Sequence, residues 1–226
     1  MTGPTAAGAM EALRSRFDVI ESTVQLGTRS VVIAHPRNSD VLISEADYVK
    51  DERLPYWADV WPSSHALARH VITLPGEGSS LLELGCGAGL SSVAATLAGF
   101  RVVATDYYPD ALEFTAANVL ANTGREIEVR EVDWRYFPHD LGRFDYVIAS
   151  DVLYEKDHAE LVARAFDRTL FGRGRGVLAD PGRIAAPEFV EACRERRMDV
   201  SVMERFPYDD GVRQQTIDLY QLVRLR

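Results

Sequence analysis

The sequence contains few of the residues that build metal centres and disulfide frameworks. Only two of its 226 residues are cysteine, Cys86 and Cys193, and their spacing fits neither a C-x-x-C motif nor a zinc site. The five histidines are scattered along the chain and add no ligand motif. We therefore expect no bound metal, and the scarcity of cysteine favours a reducing compartment, for which we predict the cytoplasm.

Long apolar runs and an excess of positive charge are missing too. No segment approaches the roughly 18 apolar residues of a membrane-spanning helix, and the opening MTGPTAAGAM lacks both the basic and the apolar region of a signal peptide. We interpret that opening as a short disordered tail. The formal net charge of −9 disfavours binding through neutralised phosphates. We expect neither a membrane nor a nucleic acid as partner, and we predict a monomer or a weak oligomer.

The chain is predicted to form one domain behind an N-terminal extension. Hydrophobic residues make up 46% of the sequence, enough to bury one core, and no linker or low-complexity segment interrupts it. The alternating segment STVQLGTRSVVIAHP, with Gly27 at its turn, predicts a β-hairpin outside the main sheet. We accordingly divide the chain into residues 1–54, the tail and hairpin, and residues 55–226, the main domain.

Strand and helix patterns alternate along the main domain, as VVATD, PDALEFTAANVLAN, EIEVREVD, FDYVIAS, HAELVARAFDRTLFG and GVLAD. This alternation predicts a doubly wound, Rossmann-like α/β sheet. Pro109 and Gly124 are expected to begin and end one helix, on which Asn118 and Asn122 lie one turn apart and are predicted to bond structurally into a sheet edge. The final segments DVSVMERF and QQTIDLYQLVRLR flank a turn-rich PYDDGV and predict an antiparallel hairpin closing the sheet.

A glycine-rich loop follows the first strand of the main domain. Residues 81–90 read LLELGCGAGL, and VVATD follows at 102–106. Gly85, Gly87 and Gly89 let the backbone turn sharply and approach a ligand closely. Asp106 follows Gly85 by 21 positions, a spacing at which an acid ending the second strand accepts hydrogen bonds from ribose hydroxyls. The pattern predicts a cofactor-binding site for a nucleoside, made of these three glycines and Asp106.

Two residues of the loop disfavour a dinucleotide as the ligand. The dinucleotide fingerprint G-x-G-x-x-G requires glycine at position 90, where this chain has Leu90. Glu83, two residues before the first glycine, would repel a pyrophosphate, whereas it could face the cationic amino group or sulfonium of S-adenosylmethionine. The alternative is that Glu83 is a solvated residue at a strand end.

Aromatic residues are concentrated in the segment PYWADVWPSSHALARHV at 55–71. Its second half predicts a helix that starts near Ser63 or Ser64. Trp57 and Trp61 are predicted to form part of a pocket wall. The alternative is that both tryptophans only pack the helix against the sheet.

The sequence ELGCGAG, followed by ATD, resembles the class I, seven-β-strand S-adenosylmethionine-dependent methyltransferases over roughly residues 55–226. The sheet of that family also ends in an antiparallel hairpin. PYWADVWPSSHALARHV, TAANVLAN, VDW and ASDVLYE resemble the protein-lysine methyltransferase branch of the family. ADPGR at 179–183 and the PYWA opening are most similar to bacterial relatives of the electron-transfer-flavoprotein β-subunit lysine methyltransferase.

The resemblance implies roles for particular residues. It places Trp61 and Glu83 near S-adenosylmethionine together with the glycine loop and Asp106. It also implies that Asp133 and Trp134 border the adenine. In that branch the fourth strand of the sheet ends in D-x-x-Y, so the following pair is implied to line the acceptor site: Asp151 and Tyr154.

Methyl transfer to a lysine requires a neutral amine held in line with the sulfonium. At an ordinary pKa near 10.4, only about one lysine in 10³ is neutral at pH 7. Our hypothesis is that Asp151 captures and orients the amine and relays its proton to water. Trp57 is predicted to bind the substrate. Together with Tyr154 it would exclude water from the amine, and this desolvation would counteract the rise in amine pKa that a carboxylate causes. The alternative is that Asp151 only caps the following segment and Tyr154 belongs to the core.

The ADPGR segment ends the fifth predicted strand of the main sheet, on the same edge as the other candidate residues. Asp180 or Arg183 is therefore a candidate for substrate contact. The alternative is a turn in which the proline and glycine set the backbone shape and Arg183 is solvated.

These observations predict an enzyme that methylates lysine side chains of another protein with S-adenosylmethionine. One alternative is a nicotinamide N-methyltransferase-like enzyme acting on a small amine or pyridine nitrogen, and titration with peptides and small amines would separate the two. Another is a non-catalytic methyltransferase-fold protein that binds a partner or senses the cofactor, although such a protein would not need both halves of the site. An acidic surface suits a basic acceptor segment.

Overall fold

The computed structural model describes residues 5–39, 42 and 55–225, and this part of the chain forms nine β-strands and six α-helices. The strands are β1 Val19–Leu26, β2 Arg29–Pro36, β3 Ser80–Leu84, β4 Arg101–Asp106, β5 Glu128–Glu131, β6 Phe144–Ser150, β7 Leu170–Asp180, β8 Met198–Asp209 and β9 Gln214–Arg224. The helices are α1 Ala6–Arg16, α2 Pro62–Val71, α3 Leu90–Leu97, α4 Pro109–Thr123, α5 His158–Thr169 and α6 Ala186–Glu195. Within the described ranges, none of these helices has the length and apolar character needed to cross a bilayer.

Seven strands form the main sheet in the order β5-β4-β3-β6-β7-β9-β8. The first five are parallel to one another, and β9 runs antiparallel to both β7 and β8. The predicted doubly wound, seven-stranded sheet with an antiparallel hairpin at one end is therefore confirmed. The chain changes direction of winding between β3 and β6, and this point is where open α/β sheets bind ligands at their carboxyl edge.

The core lies on both faces of the sheet because neighbouring strand residues point to opposite sides. Leu82 and Val147 face a cluster that contains α5 and α6, whereas Leu81 and Ile148 face a cluster that contains α2 and α3. These four side chains are fully buried. The continuous apolar character of the central strands thus follows from helices covering both faces.

The N-terminal extension contains the predicted hairpin, whose strands pair from Val19–Pro36 to Leu26–Arg29 around a Gly27 with φ of 62°. It is a separate two-stranded sheet, as expected. Asn118 and Asn122 of α4 bond through their amides to backbone groups of β2, at Ala34 and Val32. The predicted structural role of both asparagines is confirmed, and the edge they bond is that of the hairpin.

The prediction of a disordered tail is wrong for residues 5–10. Thr5 caps helix α1 by accepting a hydrogen bond from the Gly8 amide, and Leu13 is buried. Phe17, just after the helix, contacts Trp57 and Phe114 edge-on. The alanine-rich opening has high helix propensity, and packing against α4 stabilises it. Hence α1 shares a core with the main domain.

Candidate active site

A cavity opens at the carboxyl ends of β3, β4 and β6. Most of its wall comes from residues within 56–61, 85–90, 106–108 and 150–155. These segments are distant in sequence, and the parallel sheet brings them to a single edge. The cavity therefore occupies the position predicted for a ligand at the point where the strand order reverses.

The three loop glycines all have the left-handed backbone conformation, with φ of 70° at Gly85, 52° at Gly87 and 84° at Gly89. A Cβ on Gly89 would lie 2.7 Å from the hydroxyl of Thr115 on α4, and a Cβ on Gly87 would lie 3.1 Å from the carbonyl oxygen of Trp57. The loop therefore needs glycine both for its turn and for its close packing. All three glycines lie in the cavity wall.

Asp106 ends β4 and joins the loop to the cavity. Its carboxylate accepts hydrogen bonds from the backbone amides of Gly87 at 2.9 Å and Tyr108 at 3.1 Å. Burial raises the pKa of this carboxyl group, and the hydrogen bonds oppose that rise. The backbone amide of Tyr107 is a third donor to this carboxylate. Of its roughly four lone-pair sites, about one therefore stays available to a ligand. The structure places Asp106 where the glycine spacing predicted it.

Glu83 lies beneath the loop and outside the cavity wall. Its side chain is buried and accepts a hydrogen bond from the hydroxyl of Ser92 on α3. Burial raises the pKa of the carboxyl group to about 8, against the effect of hydrogen bonds from Ser92 and Ser91. The alternative of a solvated strand end is thus wrong, because the side chain is buried. Contact between Glu83 and the cofactor stays a prediction, and the hydrogen bond from Ser92 shows that its carboxylate also anchors α3.

Two residues of the VDW segment, Asp133 and Trp134, lie in different environments. Trp134 lies in the cavity wall, packed edge-on against the ring of His158 at 5.3 Å. Asp133 is outside the wall and caps a short 3₁₀ helix, accepting a hydrogen bond from the Arg135 amide and pairing with its guanidinium group at 2.7 Å. Trp134 therefore lies in the cavity wall, where a contact with the adenine was predicted. The adenine contact of Asp133 stays a prediction, and its observed contacts with Arg135 hold the segment in shape.

Both tryptophans of the aromatic segment line the cavity. Trp57 is also buried against the rings of Phe17 and Phe114, so it both packs the fold and forms the wall. Trp61 donates its indole N–H to the carbonyl of Tyr56 at 2.8 Å and precedes α2, which starts at Pro62. The predicted helix start was one to two residues late.

Asp151 follows β6 with φ of 57°, a conformation that is rare for a residue other than glycine and that marks many functional sites. Its buried carboxylate lies in the cavity wall and accepts hydrogen bonds from the Ser63 hydroxyl at 3.0 Å and from the Arg183 guanidinium Nε at 2.6 Å. These partners lie on other elements. The alternative that Asp151 caps its own following segment is therefore wrong.

Tyr154 also lies in the cavity wall, with 36% of its side chain exposed, so the alternative of a core residue is wrong. Its ring packs edge-on against Tyr56 at 5.3 Å and against His158 at 4.7 Å. His158, which no sequence motif indicated, is a buried residue whose Nδ1 hydrogen-bonds the Val152 carbonyl at 2.8 Å. Its only signal was its position at the start of a helix four residues after Tyr154.

The ADPGR segment forms a turn. Asp180 is fully buried outside the cavity wall, and its carboxylate accepts hydrogen bonds at 2.7 Å from the backbone amides of Gly182 and Arg183. These hydrogen bonds fit the alternative of a turn, and substrate contact by Asp180 stays a prediction. Arg183 is not the solvated residue of that alternative, because it pairs with Asp151 and its Cζ lies 5.4 Å from the centre of the Trp61 ring.

Residues 56–179, more than half of the chain, match a family model described as lysine methyltransferase. The chain is 34% identical over 125 residues to protein-lysine methyltransferase METTL21E of Mus musculus, covering 50% of this chain and 51% of that protein. It is 31% identical over 133 residues to the electron transfer flavoprotein beta subunit lysine methyltransferase of Xenopus laevis, with 57% and 53% covered. The chain spans about half the length of the curated relatives it matches.

Solved structures share the fold at low sequence identity. Magnesium protoporphyrin IX methyltransferase from Synechocystis PCC 6803, with bound S-adenosylmethionine, is similar with a TM-score of 0.56 and 18% identity over 81% of this chain and 86% of that one. The ribosomal protein L11 methylase from Lactobacillus delbrueckii subsp. bulgaricus is similar with a TM-score of 0.55 and 18% identity, covering 71% and 80%. At this identity the likeness shows the fold alone.

Proposed function

Because the chain belongs to the lysine methyltransferase family, we propose that it transfers methyl groups from S-adenosylmethionine to lysine side chains of another protein. The observation that carries this proposal is a single cavity with two chemically different ends. The glycine loop follows β3, and β4, which ends in Asp106, lies on one side of that strand. β6, which is followed by Asp151 and Tyr154, lies on the other side, and these two positions are called the cofactor end and the acceptor end. A cofactor and an acceptor can therefore meet inside it.

The residues at the first end fit the cofactor. The loop glycines expose backbone in the cavity wall, and Asp106 retains capacity to accept a hydrogen bond from a ribose hydroxyl. Val132 and Trp134 provide an apolar surface beside them that suits a purine. When bound, S-adenosylmethionine supplies an electrophilic methyl group on a sulfonium.

The residues at the second end suit a lysine side chain. Tyr56 and Tyr154 form an aromatic rim, with their ring centres 5.3 Å apart. Trp61 packs against Tyr56 at 6.0 Å and supports this rim, while its own ring carries the guanidinium groups of Arg183 and Arg213. Aromatic faces attract an ammonium group and exclude water around the methylene chain. Asp151 lies behind this rim and can orient the amine for an in-line displacement. Deprotonation of a lysine ammonium group at pH 7 costs roughly 4 to 5 kcal/mol, and the site must supply this free energy.

Calorimetric titration with S-adenosylmethionine and, separately, with NAD tests the cofactor. We expect S-adenosylmethionine to bind and Asp106→Ala to weaken its binding by about ten- to a hundredfold, since a hydrogen bond to a charged acceptor is lost. Asp140→Ala is a matched control, because Asp140 is an exposed carboxylate outside the cavity wall that pairs with Arg130. No binding, or a preference for NAD, would overturn the proposal.

A screen with tritiated S-adenosylmethionine tests the acceptor. Wild-type protein is incubated with cell lysate, and label is followed separately in the protein and small-molecule fractions. Labelled lysine in a protein supports the proposal. Label confined to small amines or pyridines would instead identify a small-molecule N-methyltransferase, and binding of the cofactor with no label in either fraction would indicate a non-catalytic protein.

We also propose a reducing compartment, such as the cytoplasm, for this protein. Both cysteines, Cys86 and Cys193, are buried free thiols, which supports the proposal. Burial raises the pKa of each thiol, to about 12 for Cys193. Localisation of a fluorescent fusion in cells of the source organism would test it.

A further inference from the structure

The carboxylate of Asp151 poses a chemical problem for methyl transfer to lysine. It lies in the cavity wall at the acceptor end, and its side chain is only 4% exposed. A negative charge within about 4 to 6 Å of an ammonium group raises the pKa of that group by about 1 to 3 units. An uncompensated Asp151 would therefore hold the amine in its unreactive, protonated form.

The structure provides compensation from a residue 32 positions away. The Nε–H of Arg183 donates a hydrogen bond to one carboxylate oxygen of Asp151 at 2.6 Å, and the hydroxyl of Ser63 donates to the other at 3.0 Å. Each oxygen still has a lone pair available. The carboxylate can therefore accept a hydrogen bond from an amine, while the Asp151–Arg183 ion pair as a whole carries no net charge.

We propose that Arg183 is a positioning residue that cancels the charge of Asp151, an inference that rests on the proposed function. The carboxylate can then orient the acceptor amine without stabilising its protonated form. Arg183 does not need to touch the substrate for this role, because it acts through Asp151.

Arg183 is itself held in place by two contacts. Its backbone amide donates to Asp180 at 2.7 Å, which fixes the turn on which it lies. Its guanidinium group stacks over Trp61, with Cζ 5.4 Å from the ring centre. A planar guanidinium group suits both the carboxylate and the aromatic face. The position of the charge is thus set by the fold.

Other charged groups surround the acceptor end. Asp180 lies behind the pair, and Asp151 contributes to raising its pKa, after burial. Glu155 lines the cavity with about half of its side chain exposed and lies 3.5 Å from Nε2 of His158. Asp59 also lines the cavity and accepts a hydrogen bond from Ser39 at 3.1 Å.

Two further charges lie at the margins. Arg213, from the β8–β9 turn, stacks over Trp61 with Cζ at 5.5 Å and has no ion pair with a described residue. Asp106 lies at the cofactor end. Among the described residues that line the cavity, Asp151 is thus the buried carboxylate at the acceptor end. Arg183, which is not part of the cavity wall, is the cation that directly contacts it.

The test uses the acceptor protein labelled in the lysate screen and follows kcat between pH 6.5 and 10.5. In Arg183→Gln, we expect the rising limb of the profile to move at least one unit to higher pH. Turnover at pH 7.5 should fall tenfold or more and recover in strongly basic buffer. Arg183→Lys, which retains the charge, should keep the midpoint of the wild-type profile.

Two variants separate charge from structure. In the double variant Arg183→Gln, Asp151→Asn, the uncompensated charge is absent, so the midpoint should return to that of wild type even if kcat is lower. Arg213→Gln removes the other guanidinium group that lies over Trp61. This group does not pair with Asp151, so the substitution should leave the midpoint of the pH profile unchanged. Calorimetry with S-adenosylmethionine checks that each variant is folded.

The outcomes distinguish this inference from the proposed function. If wild-type protein labels no acceptor, the proposed function fails and this inference fails with it. If wild-type protein labels an acceptor but Arg183→Gln lowers kcat equally at every pH, Arg183 only supports the structure and the inference alone is overturned. Should Arg183→Gln not fold, the double variant serves instead: a midpoint above that of wild type would contradict charge cancellation.

Discussion

Asn118 and Asn122 allow the energetic cost of an unpaired buried backbone group to be measured within one helix. The Asn118 amide bonds the N–H and C=O of Ala34 and the C=O of Ala88, at 2.8 to 2.9 Å. The Asn122 amide bonds the N–H and C=O of Val32 and the C=O of Asn118, at 2.8 to 3.0 Å. The number and type of hydrogen bonds are the same, and the two sites differ in burial.

Burial sets the expected difference between the two alanine variants. Ala34 and Ala88 are buried, so Asn118→Ala leaves three polar groups without water, each of which costs about 1 to 3 kcal/mol when unpaired. We therefore expect Asn118→Ala to lower the free energy of unfolding by about 3 kcal/mol or more in total. Val32 is 42% exposed, so water replaces most of what Asn122→Ala removes, and we expect a loss of about 1 kcal/mol. Both substitutions gain the same helix propensity, which cancels in the comparison.

Urea unfolding of both variants and of wild type at pH 7 measures the two free energies. A difference of about 2 kcal/mol between the variants would support the reasoning. If both lost the same free energy within about 0.5 kcal/mol, burial would not control the cost. The docking of the N-terminal hairpin on α4 would then depend on apolar contacts rather than on these amides.

Three further predictions concern stability. Gly89→Ala should lower the free energy of unfolding by about 3 kcal/mol or more, because its Cβ would lie 2.7 Å from the Thr115 hydroxyl. Gly142→Ala, with φ of 85° but open space around it, should lower it by only about 1 kcal/mol. Equal shifts in the melting temperatures of the two variants would refute the clash. Leu13→Ala should cost about 2 to 4 kcal/mol in urea unfolding, and a loss below about 0.5 kcal/mol would show that α1 does not contribute to the core. The pKa of Glu83 is about 8 in the folded protein and near 4.5 in the unfolded chain, so the stability of the wild-type protein should fall as pH rises between these values. Glu83→Gln should remove up to roughly 4 kcal/mol of that fall. Parallel stability curves of the two proteins from pH 5 to 9 would contradict this prediction.

Features with a local physical cause were predictable from the sequence. The glycine loop, the end of β4 at Asp106 and the bounds of α4 follow from backbone conformation and from the preferences of proline and glycine at helix ends. The N-terminal hairpin and β6 followed from strand alternation. In each case, the residues that decide the structure are close together in the chain.

Segments that depend on distant partners were predicted less well. The TLFG residues at 169–172, assigned to a helix, mostly begin β7. The PYD residues at 207–209, assigned to a turn, extend β8, where Pro207 to Asp209 pair with Thr216 to Gln214 of β9. Pairing with a neighbouring strand overrides local preference in both segments. The helix α1 was missed because its stability depends on burying Leu13 against the rest of the chain.

By itself, the sequence determined the α/β fold, the glycine loop and the set of side chains that end the parallel strands, because strand period, helix caps and glycine conformation are local properties. Only the tertiary structure decided which of those side chains meet. Asp151 joins Ser63, 88 positions before it, and Arg183, 32 positions after it. Glu83 instead joins Ser92, and Asp180 joins the backbone amides of Gly182 and Arg183. The reason is that hydrogen bonds and ion pairs depend on distance in space, and the parallel sheet, not the order of residues, sets that distance.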